Sequence, residues 1–255
     1  MGRKLVCIPV LFCCLAAANA QSSWNRVASL TFDWNGHQQV RVVFEIPKTW
    51  KDPGDYTRIR IQVPGQHEFA LNNNYGWVKI SSDAAFIPAS VAHMNQVHSD
   101  YLLAVNVAKT NRMLLILIGD SYASSPGSLD VIELAKSGEP HLILHRENLG
   151  LTDVRDLDDD GIAEIIGYPC LSQEFGNGLQ TYDPTHVYKL AEVPGRKALL
   201  SLPLSEDYNL KHYYGWVGPQ CSEKFAVVLH PPGGGKPFVT TTSKAERITT
   251  KRLDP

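Results

Sequence analysis

Long apolar runs, an excess of either charge and abundant cysteine are all missing from this 255-residue sequence. No stretch approaches the roughly 18 uninterrupted apolar residues of a membrane-spanning helix, so no transmembrane segment is expected. The chain has 24 Lys and Arg against 26 Asp and Glu, so a basic surface for nucleic acid is not expected either.

The first 20 residues have the three regions of a secretory signal peptide. Arg3 and Lys4 give a charged start, residues 5–17 are mostly apolar, and the segment ends on the small residues of Ala18-Asn19-Ala20. We therefore predict a signal peptide over 1–20 and an exported chain, periplasmic or extracellular, from 21 to 255. Without Arg3 and Lys4 the net charge becomes −4.

Only two cysteines lie outside the predicted signal peptide. Cys170 and Cys221 are candidates for one disulfide, because thiols of exported proteins are commonly oxidised. Closing a loop of about 50 residues stabilises a fold by about 4 kcal/mol in the chain-entropy model. Two unpaired cysteines are the alternative.

Apolar residues alternate with polar ones far more often than they recur at helical spacing. Alternation over 40–46 and 58–63 predicts half-buried strands, and the nearly continuous apolar runs 101–107 and 113–118 predict strands buried on both faces. One short helix is predicted, with Ser205 as its N-cap and 206–212 as its body. The sequence therefore predicts an all-β fold.

A weak internal repeat indicates how the strands are organised. Residues 115–119 parallel 163–167, and 131–135 parallel 187–191, each followed by a glycine turn and another apolar strand. This predicts blade-like units at about 101–150 and 151–204, with a C-terminal segment over 205–255. We expect a β-propeller-like fold, as a small or incomplete propeller of antiparallel blades, with a β-sandwich as the alternative.

Acidic residues recur at alternate positions in the loop that leads into the first apolar strand of the second unit. Carboxylates occupy relative positions 1, 3, 5 and 9: Asp156, Asp158, Asp160 and Glu164. This spacing wraps a loop around a hard cation such as calcium, Gly161 provides the sharp turn, and the carbonyl of Ile162 is placed to add a ligand. A solvated acidic turn is the alternative. A helix-loop-helix site needs glutamate at position 12, which is Gly167, so that kind of site is excluded.

The segment VRDLDDDGIAEIIGYP resembles the calcium-loop half of an FG-GAP or VCBS-type repeat, the unit of integrin-alpha-like β-propellers. The family pattern is D-x-D/N-x-D-G-x-x-D/E, then two apolar residues and Gly-x-Pro. The resemblance implies one calcium ion held by Asp156, Asp158, Asp160 and Glu164 through their side chains and by Ile162 through its carbonyl. Asp159 departs from the glycine usual in the family. An exported structural or binding module, not an enzyme, is the function implied, with a protein or carbohydrate as its unknown ligand.

Two other functions remain open. Gly119-Asp120-Ser121 and Asp183-Pro184-Thr185-His186 resemble the blocks of GDSL-type esterases, which would make Ser121 the nucleophile, His186 its base and Asp183 the orienting acid. The interval between the blocks is too short for the α/β units of such enzymes. A carbohydrate-binding surface is the other alternative, with candidate aromatic residues at Trp24, Trp34, Trp50, Trp77 and Trp216.

Overall fold

The computed structural model describes residues 23–34, 38–80, 87–121, 127–135, 139–169, 180–181, 185–212, 224–230, 238–243 and 249–252. The predicted signal peptide, both cysteines of the predicted disulfide, Asp183 and Trp216 lie outside these residues. The described elements are nearly all strands, so the all-β prediction is confirmed.

Within the described residues, sixteen strands form four antiparallel sheets of four strands each. The first sheet contains β1 (Trp24–Trp34), β2 (Gln38–Pro47), β3 (Tyr56–Gln62) and β4 (Phe69–Trp77). The second contains β5 (Leu103–Val107), β6 (Arg112–Ile118), β7 (Ser128–Ala135) and β8 (His141–Glu147).

The strands of the third and fourth sheets are interleaved in sequence, because β11 of the fourth sheet lies between β10 and β12 of the third. The third has the order β13 (Leu199–Leu200), β12 (His186–Lys189), β10 (Glu164–Pro169), β9 (Leu149–Arg155). The fourth has the order β11 (Gln180–Thr181), β14 (Lys224–His230), β15 (Phe238–Ser243), β16 (Thr249–Arg252). The first two sheets are simple meanders in which each strand pairs with the next, as in a propeller blade.

The first three sheets stack face to face, with the second sheet in the middle. One face of β5 and β6 packs against the first sheet, in a core that includes Phe44 and Leu115. The opposite face packs against the third sheet, in a core that includes Ile116 and Ile165. Strand β6 is buried along its whole length, as the apolar run 113–118 predicts, and β7 is buried throughout although it contains Asp130 and Glu133.

The two outer faces of this stack differ in chemistry. The outer face of the first sheet carries an ionic network in which Arg60 lies 2.8 Å from Glu45 and 3.0 Å from Glu68. The outer face of the third sheet is covered by the helix α2 (Leu202–His212), whose Tyr208 packs on Val187. The described stack is therefore bounded by charge on one side and by a helix on the other.

The helix prediction was correct in type and wrong in its start. The helix α2 begins three residues before Ser205, which is buried inside it. The Ser205 hydroxyl donates to the carbonyl of Ser201 and accepts from the backbone N–H of Val187, so it joins the helix to β12. A second short helix, α1 (Ala89–Met94), packs against β5 and buries Val91. Neither helix of the described residues is long and apolar enough to cross a membrane.

Candidate metal centre

The acidic segment forms the loop of the β9–β10 hairpin. Strand β9 ends at Arg155, which pairs with Glu164 at the start of β10, so residues 156–163 form the connection. Gly161 has φ +89° and Asp159 has φ +60°, and both therefore lie in the left-handed region. Glycine meets this requirement freely, and aspartate tolerates it better than most residues, which allows Asp159 at a position where the repeat family usually has glycine.

Three of the four predicted carboxylates come together. Asp156, Asp158 and Glu164 each place a carboxylate oxygen within 4.8 Å of the others. Asp156 and Asp158 come from the loop and Glu164 from the first position of β10. Because hard cations are bound by several oxygens at short range, this spacing is compatible with one ion among the three carboxylates.

Backbone amides hold these carboxylates in place. The N–H of Gly161 donates to Oδ2 of Asp156, and the N–H of Leu157 donates to Oε2 of Glu164, both at 2.7 Å. The N–H of Ile162 donates to Oδ1 of Asp160 at 2.8 Å. The loop is thus ordered by hydrogen bonds from its own backbone to its carboxylates.

Glu164 is the unusual member of the group. It is completely buried, and its Oε1 has no hydrogen-bond partner among the described residues. Burial, reinforced by the negative charge of Asp158, raises the pKa of Glu164 to about 7, although the Leu157 amide opposes the shift. A buried carboxylate oxygen without a partner is costly, so the site favours an arriving cation or proton.

Two lysines from other parts of the chain contact the same loop. Lys189 on β12 places Nζ 2.5 Å from Oδ2 of Asp158 and 2.7 Å from Oδ2 of Asp160. Hydrogen bonding to Lys189 lowers the pKa of the Asp160 carboxyl, and both aspartates raise the pKa of Lys189. Lys109, in the β5–β6 connection, lies 3.6 Å from Oδ2 of Asp156.

The donors fit a hard cation in type and number. The cluster provides three carboxylates, and Asp160 and the carbonyl of Ile162 lie in the same short loop. Oxygen donors alone, without nitrogen or sulfur, suit calcium or magnesium better than zinc or copper. The roles of Asp160 and Ile162 as ligands stay predictions, because Asp160 is paired with Lys189.

The lysines are the part of the site that sequence reasoning missed. Lys189 follows an apolar pair in an ordinary strand pattern, and only the pairing of β12 with β10 brings it opposite Glu164. Lys109 belongs to the preceding sheet and approaches the loop through sheet stacking. Nothing in the local sequence marks either residue as a neighbour of the acidic loop.

The two described residues of the predicted esterase triad lie at different sheets. Ser121 follows β6 in the connection to its antiparallel neighbour β7, not in a parallel α/β unit. His186 begins β12 in the third sheet, where its ring lies 6.2 Å from that of Tyr188. Asp183 lies outside the described residues, so the structure describes only two members of the predicted triad, Ser121 after β6 of the second sheet and His186 in the third.

The tryptophans do not form a surface of their own. Trp34 and Trp77 are buried in the core between the first two sheets. The ring of Trp24 packs under the guanidinium of Arg58, 5.1 Å from the ring centroid. Trp50 is partly buried, with an indole nitrogen that has no partner among the described residues. These four side chains therefore contribute more to packing than to an exposed binding surface.

Comparison with known proteins identifies no family. No protein-family model matches the chain. No curated protein matches it either. Among solved structures, an exo-β-1,3-galactanase from Phanerochaete chrysosporium, crystallised with β-1,3-galactotriose, aligns at 9% identity and a TM-score of 0.25. The alignment covers 89% of this chain and 50% of the galactanase chain, so this chain spans about half of that protein.

Proposed function

We propose that this chain is an exported calcium-binding module in which one calcium ion stabilises the loop between β9 and β10. The observation that carries the proposal is Glu164, completely buried and with Oε1 unpartnered beside Asp156 and Asp158. The FG-GAP/VCBS-like spacing of the loop supports it independently. The ion acts on stability, so the module is a structural or binding protein and not an enzyme.

Charge balance supports a cation at this position. Four carboxylates of the hairpin, at Asp156, Asp158, Asp160 and Glu164, face the ammonium groups of two lysines. Lys109 is 70% exposed, and so its interaction with Asp156 is weak. Among the described residues neither lysine forms an ion pair with Glu164, and the charge of Lys189 lowers its pKa less than burial raises it, so the Glu164 carboxylate is only partly compensated. A divalent ion held by these oxygens would remove that deficit.

Thermal unfolding of the mature protein tests the proposal. In the presence of calcium we expect a higher melting temperature than in chelator, because an ion that binds only the folded state stabilises it by mass action. Asp158→Asn together with Asp160→Asn should remove the calcium-dependent increase. These substitutions keep side-chain size and change only charge and ligand strength.

Asp159→Asn is the matched control. Asp159 is exposed, belongs to the same loop and lies outside the carboxylate cluster. This variant should keep the full calcium response. Equal melting temperatures of the wild type in calcium and in chelator would refute the proposal, and so would an equal loss of response in the control.

A further inference from the structure

A cleft opens at one end of the interface between the first and second sheets. Its volume is about 550 Å³, which lies within the range of small-ligand sites. The described residues that line it are Asp52, Pro53, Asn74, Tyr75, Gly76, Asp120, Gly127, Ser128, Glu147 and Asn148. They come from the β2–β3 connection, the end of β4, the β6–β7 connection and the β8–β9 turn. The acidic loop contributes none of them.

Tyr75 is displayed at this cleft by an irregularity in β4. The pairing of β3 with β4 slips between Tyr56, which pairs with Trp77, and Arg58, which pairs with Asn72. The extra residues on β4 bulge outward, and Tyr75 is left 71% exposed. Bulges redirect side chains and are common beside binding sites. An exposed aromatic ring at a cavity is unusual enough to indicate a contact surface.

Two glycines make the bulge possible. Gly54 and Gly76 have φ +109° and +82°, and a Cβ on either would lie 3.1–3.2 Å from the Cα of the other. The two backbones therefore touch, with positive φ at both positions. The N–H of Tyr75 donates to Oδ1 of Asn73 at 2.8 Å, which fixes the bulge from the other side. Tyr75 is thus held outward by a specific local structure.

The cleft is lined by acidic side chains and is electronegative. Asp52, Asp120 and Glu147 line it, and no lysine or arginine does so among its described lining residues. None of these three carboxylates forms an ion pair with another described residue. Burial, together with nearby Asp55, raises the pKa of Asp120. Anionic ligands are therefore disfavoured.

The side chains of β7 that face the first sheet change from apolar to polar towards the cleft. Along β7, Ile132 and Leu134 belong to the apolar core, whereas Asp130 and Ser128, nearer the cleft, are polar and buried. The Asn73 amide donates to Oγ of Ser128 at 3.1 Å across the two sheets. Ser128, which lines the cleft, is therefore held by a hydrogen bond between the two sheets.

Metal binding does not explain this arrangement. Among the described residues, only the loop carboxylates at Asp156, Asp158 and Glu164 converge closely enough for a shared ion. Those of Asp52, Asp120 and Glu147 are spread around the cleft instead. Dispersed acceptors suit a ligand with many hydroxyl donors, and the exposed tyrosine ring suits one with an apolar C–H face. A sugar ring has both properties.

We propose that this cleft binds a neutral oligosaccharide. The Tyr75 ring packs against the C–H face of a sugar, and Asp52, Asp120 and Glu147 accept hydrogen bonds from its hydroxyl groups. The amides of Asn74 and Asn148 lie at the same cleft and supply both donors and acceptors. The site is separate from the acidic loop and does not depend on a metal there.

Binding is measured on the mature protein in chelator and in calcium. The probes are neutral oligosaccharides of glucose, galactose, mannose, xylose and N-acetylglucosamine, with oligogalacturonate as the anionic probe and spermidine as the cationic one. We expect at least one neutral oligosaccharide to bind and oligogalacturonate not to bind. Failure of every neutral probe, or preference for oligogalacturonate or spermidine, would overturn the proposal.

Substitutions then locate the binding. Tyr75→Ala should weaken the affinity for that oligosaccharide by about tenfold or more, which corresponds to about 1.4 kcal/mol. Tyr75→Phe, which keeps the ring, should retain most of the affinity. Asp52→Asn with Glu147→Gln should weaken binding as well. Unchanged affinity in Tyr75→Ala would exclude this cleft as the site.

Two exposed positions away from the cleft serve as controls. Leu199→Ala removes a side chain of a residue 70% exposed on β13, and Glu139→Gln removes an exposed charge before β8. Both should bind like the wild type. Because Tyr75 is an exposed side chain, its variants should melt at the wild-type temperature, which separates lost binding from lost folding.

Discussion

The β5–β6 and β9–β10 hairpins each have a buried charged residue at the start of their second strand, but only the first of these residues has an oppositely charged partner among the described residues. The second strand of the β5–β6 hairpin begins with Arg112, and that of the β9–β10 hairpin begins with Glu164. Both residues are buried, at 3% and 0% exposure. Arg112 lies 3.2 Å from Oε1 of Glu133 and donates to the carbonyls of Ala191 and Glu192, although its Nε has no hydrogen-bond partner among the described residues. The Glu164 carboxylate accepts from the N–H of Leu157, has no ion pair among the described residues, and leaves Oε1 without a partner there.

Among the described residues, the fold provides an oppositely charged partner for Arg112 but not for Glu164. The ion pair of Arg112 with Glu133 lies within the second sheet, and the hydrogen bonds from Arg112 to the carbonyls of Ala191 and Glu192, in the connection after β12, join it to the third sheet. Glu133 also accepts from the N–H of Gly195. Glu164 has no comparable partner among the described residues, which is why a bound cation is proposed there and not at the first hairpin.

The largest predicted effect comes from breaking the compensated pair. Arg112→Leu should lower the free energy of unfolding by about 3 to 5 kcal/mol, because it leaves the Glu133 carboxylate buried and unpaired. The loss should be equal in calcium and in chelator, as measured by denaturant unfolding. The double variant with Glu133→Leu should recover much of it, since no buried charge then remains. A loss below about 1 kcal/mol in Arg112→Leu would show that the pair is not desolvated as described.

Replacing Glu164 or Glu133 by glutamine gives the most direct comparison of the two hairpins. Glu164→Gln in chelator should be neutral or stabilising, because the amide oxygen still accepts from Leu157 and the buried charge is gone. Its calcium-dependent stabilisation, about 2.7 kcal/mol at a hundredfold excess over Kd for the wild type, should be largely lost. Glu133→Gln should be destabilised in both conditions. Equal destabilisation of the two variants in chelator would remove the distinction between the hairpins.

His186, which pairs with Gly167 in the third sheet, tests how a half-buried base behaves. Burial, assisted by the positive charge of Arg146, lowers the pKa of His186 to about 4. Between that value and about 6.5 the unfolded chain binds more protons than the folded one, so this residue reduces stability as pH falls and its effect vanishes above pH 7.

The measurement is the difference in unfolding free energy between wild type and His186→Asn. Near pH 7.5 the difference should be set by packing alone. Near pH 4.5 it should shift in favour of the variant by about 1 to 2 kcal/mol, since the variant has no imidazole to desolvate. A difference independent of pH would mean that His186 titrates normally. Using the difference cancels the opposite contribution of Glu164, whose folded pKa is raised.

The smallest effect is expected at Lys189. Its ammonium lies against Asp158 and Asp160, so it competes with a cation for the same carboxylates. Lys189→Met should strengthen calcium binding by about threefold to tenfold and lower stability in chelator by less than about 1 kcal/mol, because the pair is partly exposed. Lys109→Met, a more exposed neighbour of Asp156, should change the affinity less. Weaker calcium binding in Lys189→Met would show that the lysine supports the site instead.

Sequence patterns predicted the strands well because strand periodicity is local. Alternation over 40–46 and the apolar run 113–118 became β2 and β6, and the latter is buried on both faces as expected. The helix start was missed because Ser205 satisfies both an N-cap pattern and an internal role, and its bond to Val187 depends on sheet contacts. The exposure of Tyr75 was not predicted, because a bulge depends on the pairing register of two strands and not on the local sequence.

The sequence by itself determined the all-β class, the acidic loop and the turn at Gly161, since each depends on spacing along one short segment. The tertiary structure decided what surrounds them. Stacking of the second and third sheets brought Lys109 to Asp156, and the pairing of β12 with β10 brought Lys189 to Asp158. Burial of Glu164 and Arg112 likewise arises from sheet packing. Spacing specifies which groups a loop offers, but only long-range packing decides which charges lose water and which find a partner.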